Sequence, residues 1–90
     1  MYDWDERKCR LNLLKHGVDF AEVESFEWET AAIRPDRRRD YGEDRHIAFG
    51  TIGGRLHTLI FAPRDGRVRV VSLRKANPRE ERSYEKAQKT

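Results

Sequence analysis

The sequence predicts an α+β domain with an N-terminal helical hairpin, a three- to four-stranded antiparallel sheet and a short C-terminal helix. Three observations carry this. Apolar residues before Trp28 recur at helical spacing between capping residues; from Thr30 the period changes to two; and Gly53-Gly54 and Pro63-Arg64-Asp65-Gly66 join successive alternating runs as tight turns. The chain's 90 residues suit one domain over positions 1–90, with a modest core that a partner helps complete.

The first helix runs from Asp5 to His16. Asp3 is placed to cap it with Glu6 as capping-box partner, and Gly17 stops it in the left-handed region. Leu11 and Leu14 share a face with Leu13 beside them, and Lys8, Asn12 and Lys15 line another. A second helix starts at the Asp19 cap, with Glu22 at its third position and Phe20, Val23 and Phe26 as its apolar side, and fades near Trp28. Strands follow at 30–34, 45–52, 56–61 and 67–74, with an Arg-rich loop over 34–41 between the first two. Strict alternation in the last strand puts Val68, Val70, Ser72 and Arg74 on one face and Arg67, Arg69, Val71 and Leu73 on the other. The final helix is capped by Asn77 with Pro78 at its first position and Glu80 completing the box, and leans on the rest through Tyr84.

Charge is unevenly spread. Residues 1–33 carry four basic and eight acidic groups, a net of −4; residues 34–90 carry fifteen and eight, a net of +7. Ten of those fifteen are arginines between Arg34 and Arg74, and the planar guanidinium suits bidentate phosphate contacts. On charge alone a nucleic-acid surface and an ordinary salt-bridged surface both stay open. No stretch has the length of a membrane span or a signal-peptide core. The single Cys9 forms no internal disulfide and suits a reducing cytoplasm. The three histidines and one cysteine make no zinc spacing, so no metal or other cofactor is expected.

Phosphodiester cleavage through the RNA's own 2′-hydroxyl needs a base, an acid and stabilisation of charge on phosphorus. Arginine supplies only the last, because it keeps its proton. Arg64 and Arg74 stand at opposite ends of the last hairpin. His16, His57, Glu43, Lys15, Lys75 and Tyr84 are the groups that titrate or donate nearby in sequence. Each has a plainer role as well: His16 as a helix-dipole partner with raised pKa, His57 as a satisfied strand residue, Glu43 as an ion-pair partner of Arg45, and Tyr84 as a packing anchor. Lys15, Arg45, Arg67, Arg69 and Arg79 complete the basic surface. Gly50-x-x-Gly53-Gly54 has no following Lys-Ser/Thr and is no phosphate loop, and Ser72 shows no nucleophile-elbow setting.

The string Trp4-Asp5-x-x-Lys8-x-x-x-Asn12-x-x-Lys15-His16-Gly17-Val18-x-Phe20-x-Glu22 resembles the BrnT toxins of bacterial type II toxin–antitoxin pairs, relatives of the RelE/ParE fold. So do Gly42-Glu43-Asp44-Arg45-x-x-x-x-Gly50, then Arg64, and Arg69-Val70-Val71-Ser72-x-Arg74-Lys75-Ala76-x-x-x-Glu80-x-x-x-Tyr84. The resemblance implies a cytoplasmic, metal-independent endoribonuclease that inhibits translation. It implies neutralisation by a cognate BrnA-like antitoxin in a heterotetramer around an antitoxin dimer, with operator DNA contacted mainly through the antitoxin. By position it implies Arg64, Arg74 and Tyr84 as catalytic residues, with Lys75 as a further donor and His16 and Lys15 as second-rank bases. Two rivals use the same surface: a non-catalytic RNA-binding module and a pure antitoxin-binding module.

Overall fold

The computed structural model describes residues 1–89. The chain runs through β1 (Tyr2–Asp3), α1 (Glu6–His16), two 3-10 segments (Phe20–Ser25 and Trp28–Thr30), β2 (Ala32–Pro35), β3 (His46–Ile52), β4 (Arg55–Arg64), β5 (Arg67–Lys75) and α2 (Pro78–Gln88). The strands form one sheet in the order β1-β5-β4-β3-β2. β2 to β5 are antiparallel, as the turn signals predict. The two-residue β1 pairs parallel with Val68 and Arg69 of β5, making a mixed five-stranded sheet in place of the expected three or four antiparallel strands. A strand of two residues has no alternation to read, so only its partner reveals it.

The expected helical hairpin is corrected as well. Asp19 and Glu22 form the predicted capping box, but the segment they open is a 3-10 helix of six residues. Its period of three stacks Phe20 and Val23 along one line, Phe26 follows as its extended C-cap, and all three are buried, at 0%, 0% and 5% exposure. Phe26 then presses its ring onto Gly50, where a Cβ would lie 2.5 Å from Cζ.

α1 also departs from its predicted face. Asp5, not Asp3, is the N-cap, accepting from the backbone N–H groups of Arg7 and Lys8 at 2.8 and 3.3 Å. Gly17 closes the helix at φ 72° as expected. Leu11, Leu13 and Leu14 remain 59%, 44% and 85% exposed, while Cys9 and Asn12 are the buried residues. Asn12 explains the rotation. Its Nδ2 donates to the carbonyls of Leu73 (2.7 Å) and Val18 (2.9 Å), and its Oδ1 accepts from the Leu73 N–H (3.3 Å). It satisfies the edge of β5 beyond the short β1, a task that a leucine cannot perform.

The core lies between one sheet face and the N-terminal segments: Val18, Phe20, Val23, Leu59, Val70 and Leu73 are all at most 2% exposed. Edge-to-face contacts link Trp4 with Phe20, and Trp28 with both Phe26 and Phe61, and the Trp28 indole donates to the Tyr2 hydroxyl at 2.7 Å. α2 keeps its predicted cap, with Asn77 and Glu80 forming the box and Pro78 at its start, and crosses the opposite face.

Candidate active site

A β-bulge sets the chemistry of that opposite face. Ile60 pairs with Ser72 but Phe61 with Val70, so Val71 is the extra residue. The ladder then places Val68 and Val70 on the core face with Leu73, and Arg67 and Arg69 on the outer face with Ser72 and Arg74. Strict alternation had divided these residues the other way. The burial of both Val70 (2%) and Leu73 (0%) requires the bulge, because three residues apart in a regular strand they would face opposite ways.

On the α1 side of this face lies a cleft of about 210 Å³, lined by Lys8, Leu11, Asn12, Lys15 and His16 of α1 and by Val71 and Ser72 at the bulge. Lys8 and Lys15 stand seven residues apart, two turns on one helix face. His16 is half-buried at the end of α1. Its pKa lies below the ordinary imidazole value, first because burial disfavours the cation, then because Lys15 and Arg74 repel it. The helix dipole alone would raise that pKa, so the expected direction is reversed by the surrounding cations and desolvation. The neutral imidazole, the form that can accept a proton, is thereby favoured at His16.

Arg74 is fully engaged on one edge. Its Nη1 and Nη2 each donate to a Glu80 oxygen at 2.8 Å, and Thr58 Oγ1 donates to Glu80 Oε1 at 3.1 Å. The Arg74 pair pulls the Glu80 carboxyl down to about 2, with help from the Asn77 N–H. The same pairing raises Arg74. Two of the five guanidinium hydrogens serve Glu80, and Nη1 also approaches the Lys75 carbonyl at 3.4 Å. Nε and one Nη2 hydrogen are uncommitted.

The other sequence candidates are dispersed. Tyr84 on α2 donates its hydroxyl to the Thr30 carbonyl at 2.7 Å. Arg64 sits at the far end of β4, with Glu43 3.4 Å from it and 3.1 Å from Arg45. Thr58, opposite Arg74, and Arg64 are six residues apart on one strand, about 20 Å at a rise of about 3.3 Å per residue. Arg64 and Arg74 therefore do not meet at one phosphate. Arg67 and Arg69 flank Asp3 at 3.8 and 3.6 Å. Lys75 faces the core side of the ladder opposite His57, which is 3% exposed with Nδ1 2.8 Å from the Arg55 carbonyl. Arg79 lies at the start of α2. The loop over 34–41 is organised by buried Asp36, which takes a forked pair from Arg38 at 2.8 and 2.9 Å, while Arg45 lies 4.2 Å from the Tyr41 ring centre.

Lys8, Ser72 and Glu80 escaped sequence reasoning as site residues. Lys8 left a usable trace, its two-turn spacing to Lys15. Ser72 and Glu80 left only their places in the last motif block, because a bulge and a second use for a capping residue are tertiary facts. The residues that line the cleft coincide with the blocks of the N-terminal and last-strand motifs, and a family model for the BrnT ribonuclease toxins of type II toxin–antitoxin systems matches residues 4–80. The chain belongs to the BrnT toxin family. Membership brings an RNA substrate and a cognate antitoxin as partner. No curated protein shows a significant match. Among the described residues no helix of this BrnT chain is long and apolar enough to cross a membrane.

Proposed function

We propose that this BrnT protein cleaves RNA without a metal ion, by attack of a 2′-hydroxyl on the adjacent phosphate in the cleft between α1 and β5. The observation that carries the reading is the gathering of Lys8, Lys15 and His16 beside Ser72 in one cleft, with Arg74 among the charges that disfavour the His16 cation. His16 takes the 2′-hydroxyl proton as the 2′-oxygen bonds to phosphorus. Lys15 and the uncommitted edge of Arg74 hold the charge that builds on the phosphoryl oxygens. The bond from phosphorus to the 5′-oxygen breaks, and that oxygen takes a proton from the Lys15 ammonium. The products are a 2′,3′-cyclic phosphate and a free 5′-hydroxyl. The attacking oxygen comes from the RNA and the countercharge from the side chains, which is why no metal is required. Arg64, Arg67, Arg69 and Arg45 extend the basic surface along the flanking chain, and Tyr84 acts through packing.

Neutralisation falls to a BrnA-like antitoxin, in a heterotetramer around an antitoxin dimer that supplies most operator contacts, inside the cytoplasm. The deciding experiment incubates antitoxin-free protein with an end-labelled structured RNA in EDTA, with wild type, His16→Gln and Arg74→Ala side by side. Cleavage by wild type with 2′,3′-cyclic ends, lost in both variants at unchanged fold, is expected. Loss of wild-type cleavage on adding EDTA would overturn the mechanism.

A further inference from the structure

On the same sheet face, at the β2 side, α2 and the outer strands enclose a second hollow of about 480 Å³, a size typical of small-ligand sites. Half-buried Ala32, Phe49, Glu80 and Tyr84 line it, with exposed Arg34 and Arg79 at its mouth. The Arg34 guanidinium lies over the Phe49 ring, 5.4 Å from its centre. The bond from the Tyr84 hydroxyl to the Thr30 carbonyl holds the second ring in place. Among the described residues neither Arg34 nor Arg79 is in an ion pair, unlike Arg38, Arg45, Arg64, Arg67, Arg69 and Arg74.

We propose that this groove seats one nucleobase of the RNA substrate on Phe49 and against Tyr84, the base displacing the Arg34 guanidinium from the Phe49 ring so that Arg34 joins Arg79 on the phosphates beside it. The proposal rests on the ribonuclease reading and adds the subsite that would set base preference. Aromatic faces and guanidinium planes are the surfaces on which unpaired bases stack, and two unpaired arginines at the mouth match an anionic backbone. The location fits too. Phe49, Thr58 and Arg74 stand in one row across β3, β4 and β5. Two strand spacings of about 4.8 Å separate Phe49 from Arg74 by about 10 Å, or about three base steps at about 3.4 Å each. The hollow therefore lies within reach of about three nucleotides from Arg74, on the other side of the Glu80 carboxylate.

The test uses short 2′-O-methyl RNA oligonucleotides, which lack the attacking hydroxyl, each carrying 2-aminopurine at one position. Stacking quenches this base, so quenching at one position on binding wild type is expected. Phe49→Leu keeps apolar bulk but removes the ring; it should abolish the quenching and weaken binding by about 5- to 150-fold. Should Phe49→Leu lose its melting transition, Arg34→Gln with Arg79→Gln tests the groove from its exposed rim, with an expected smaller salt dependence of binding. No quenching at any position, or wild-type affinity in a folded Phe49→Leu, overturns the proposal. So does a variant that binds RNA normally yet no longer binds its antitoxin, which would give the groove to a protein segment. Because the oligonucleotides cannot be cut, quenching without cleavage of ordinary RNA would defeat the cleavage mechanism and leave the groove standing.

Discussion

Glu80 joins three parts of the molecule, and Glu80→Gln removes its charge. Glutamine keeps one oxygen for Thr58, the Asn77 N–H and Arg74 Nη1, but sets an amide donor against Arg74 Nη2, so the variant removes the negative charge and one arm of the fork. That pair has both oxygens at 2.8 Å from separate guanidinium nitrogens, with the side chains 28% and 18% exposed. Exposed pairs contribute up to about 1 kcal/mol and breaking a fully buried one costs about 3–5 kcal/mol. This half-buried, forked pair therefore falls near 2 kcal/mol. The folded-state carboxyl titrates at about 2 against an ordinary 4.5. A depressed pKa stabilises the fold fully above 4.5, and that contribution is lost as pH falls through about 2. Urea unfolding of wild type and variant across pH is the assay. At pH 7 a difference of about 2 kcal/mol shifts the midpoint by about 1–2 M, for a slope of about 1–2 kcal/mol/M. The two proteins should converge as pH falls from 4.5 toward 2. A difference that stays constant over that range, or none at pH 7, would refute the assignment of the effect to charge.

Asn12→Leu restores the apolar pattern of α1 but leaves the Leu73 N–H and the Leu73 and Val18 carbonyls without their partner; a loss of about 2–4 kcal/mol is expected by chemical denaturation. Gly50→Ala drives a methyl into the Phe26 ring and should cost about 1–3 kcal/mol, with a lower melting temperature as readout. In RNA cleavage, the acid limb of the kcat/KM profile should fall at a pH below 6.5, since burial, Lys15 and Arg74 lower the His16 pKa. Activity rises as pH climbs through that value, and His16→Gln should flatten the limb.

Much of the local structure was legible in the chain because its causes are local. The Asp19–Glu22 and Asn77–Glu80 capping boxes, the Gly17 stop and the hairpin turns each depend on residues a few positions apart. The motif blocks likewise carried the BrnT family, and with it a ribonuclease toxin and an antitoxin partner. Hydrophobic pattern misled where a polar group did the burying: Asn12 turned α1 inward and left Leu11 and Leu14 in solvent, because an open strand edge needs hydrogen bonds more than the helix needs an apolar face.

The candidate site was only half visible. Lys15, His16 and Arg74 were named from sequence, yet nothing local separated them from Arg64, which lies at the other end of the sheet. One inserted residue, Val71, decided that Arg67 and Arg69 join Arg74 on the outer face, since a shift of one residue exchanges the faces of a strand. The direction of the His16 pKa was equally out of reach, because it depends on Arg74, distant in sequence, and on burial by the fold. Sequence by itself determined the capping boxes, the hairpin turns and the family; tertiary structure decided which cations share a surface, because faces and electric fields depend on distances in space.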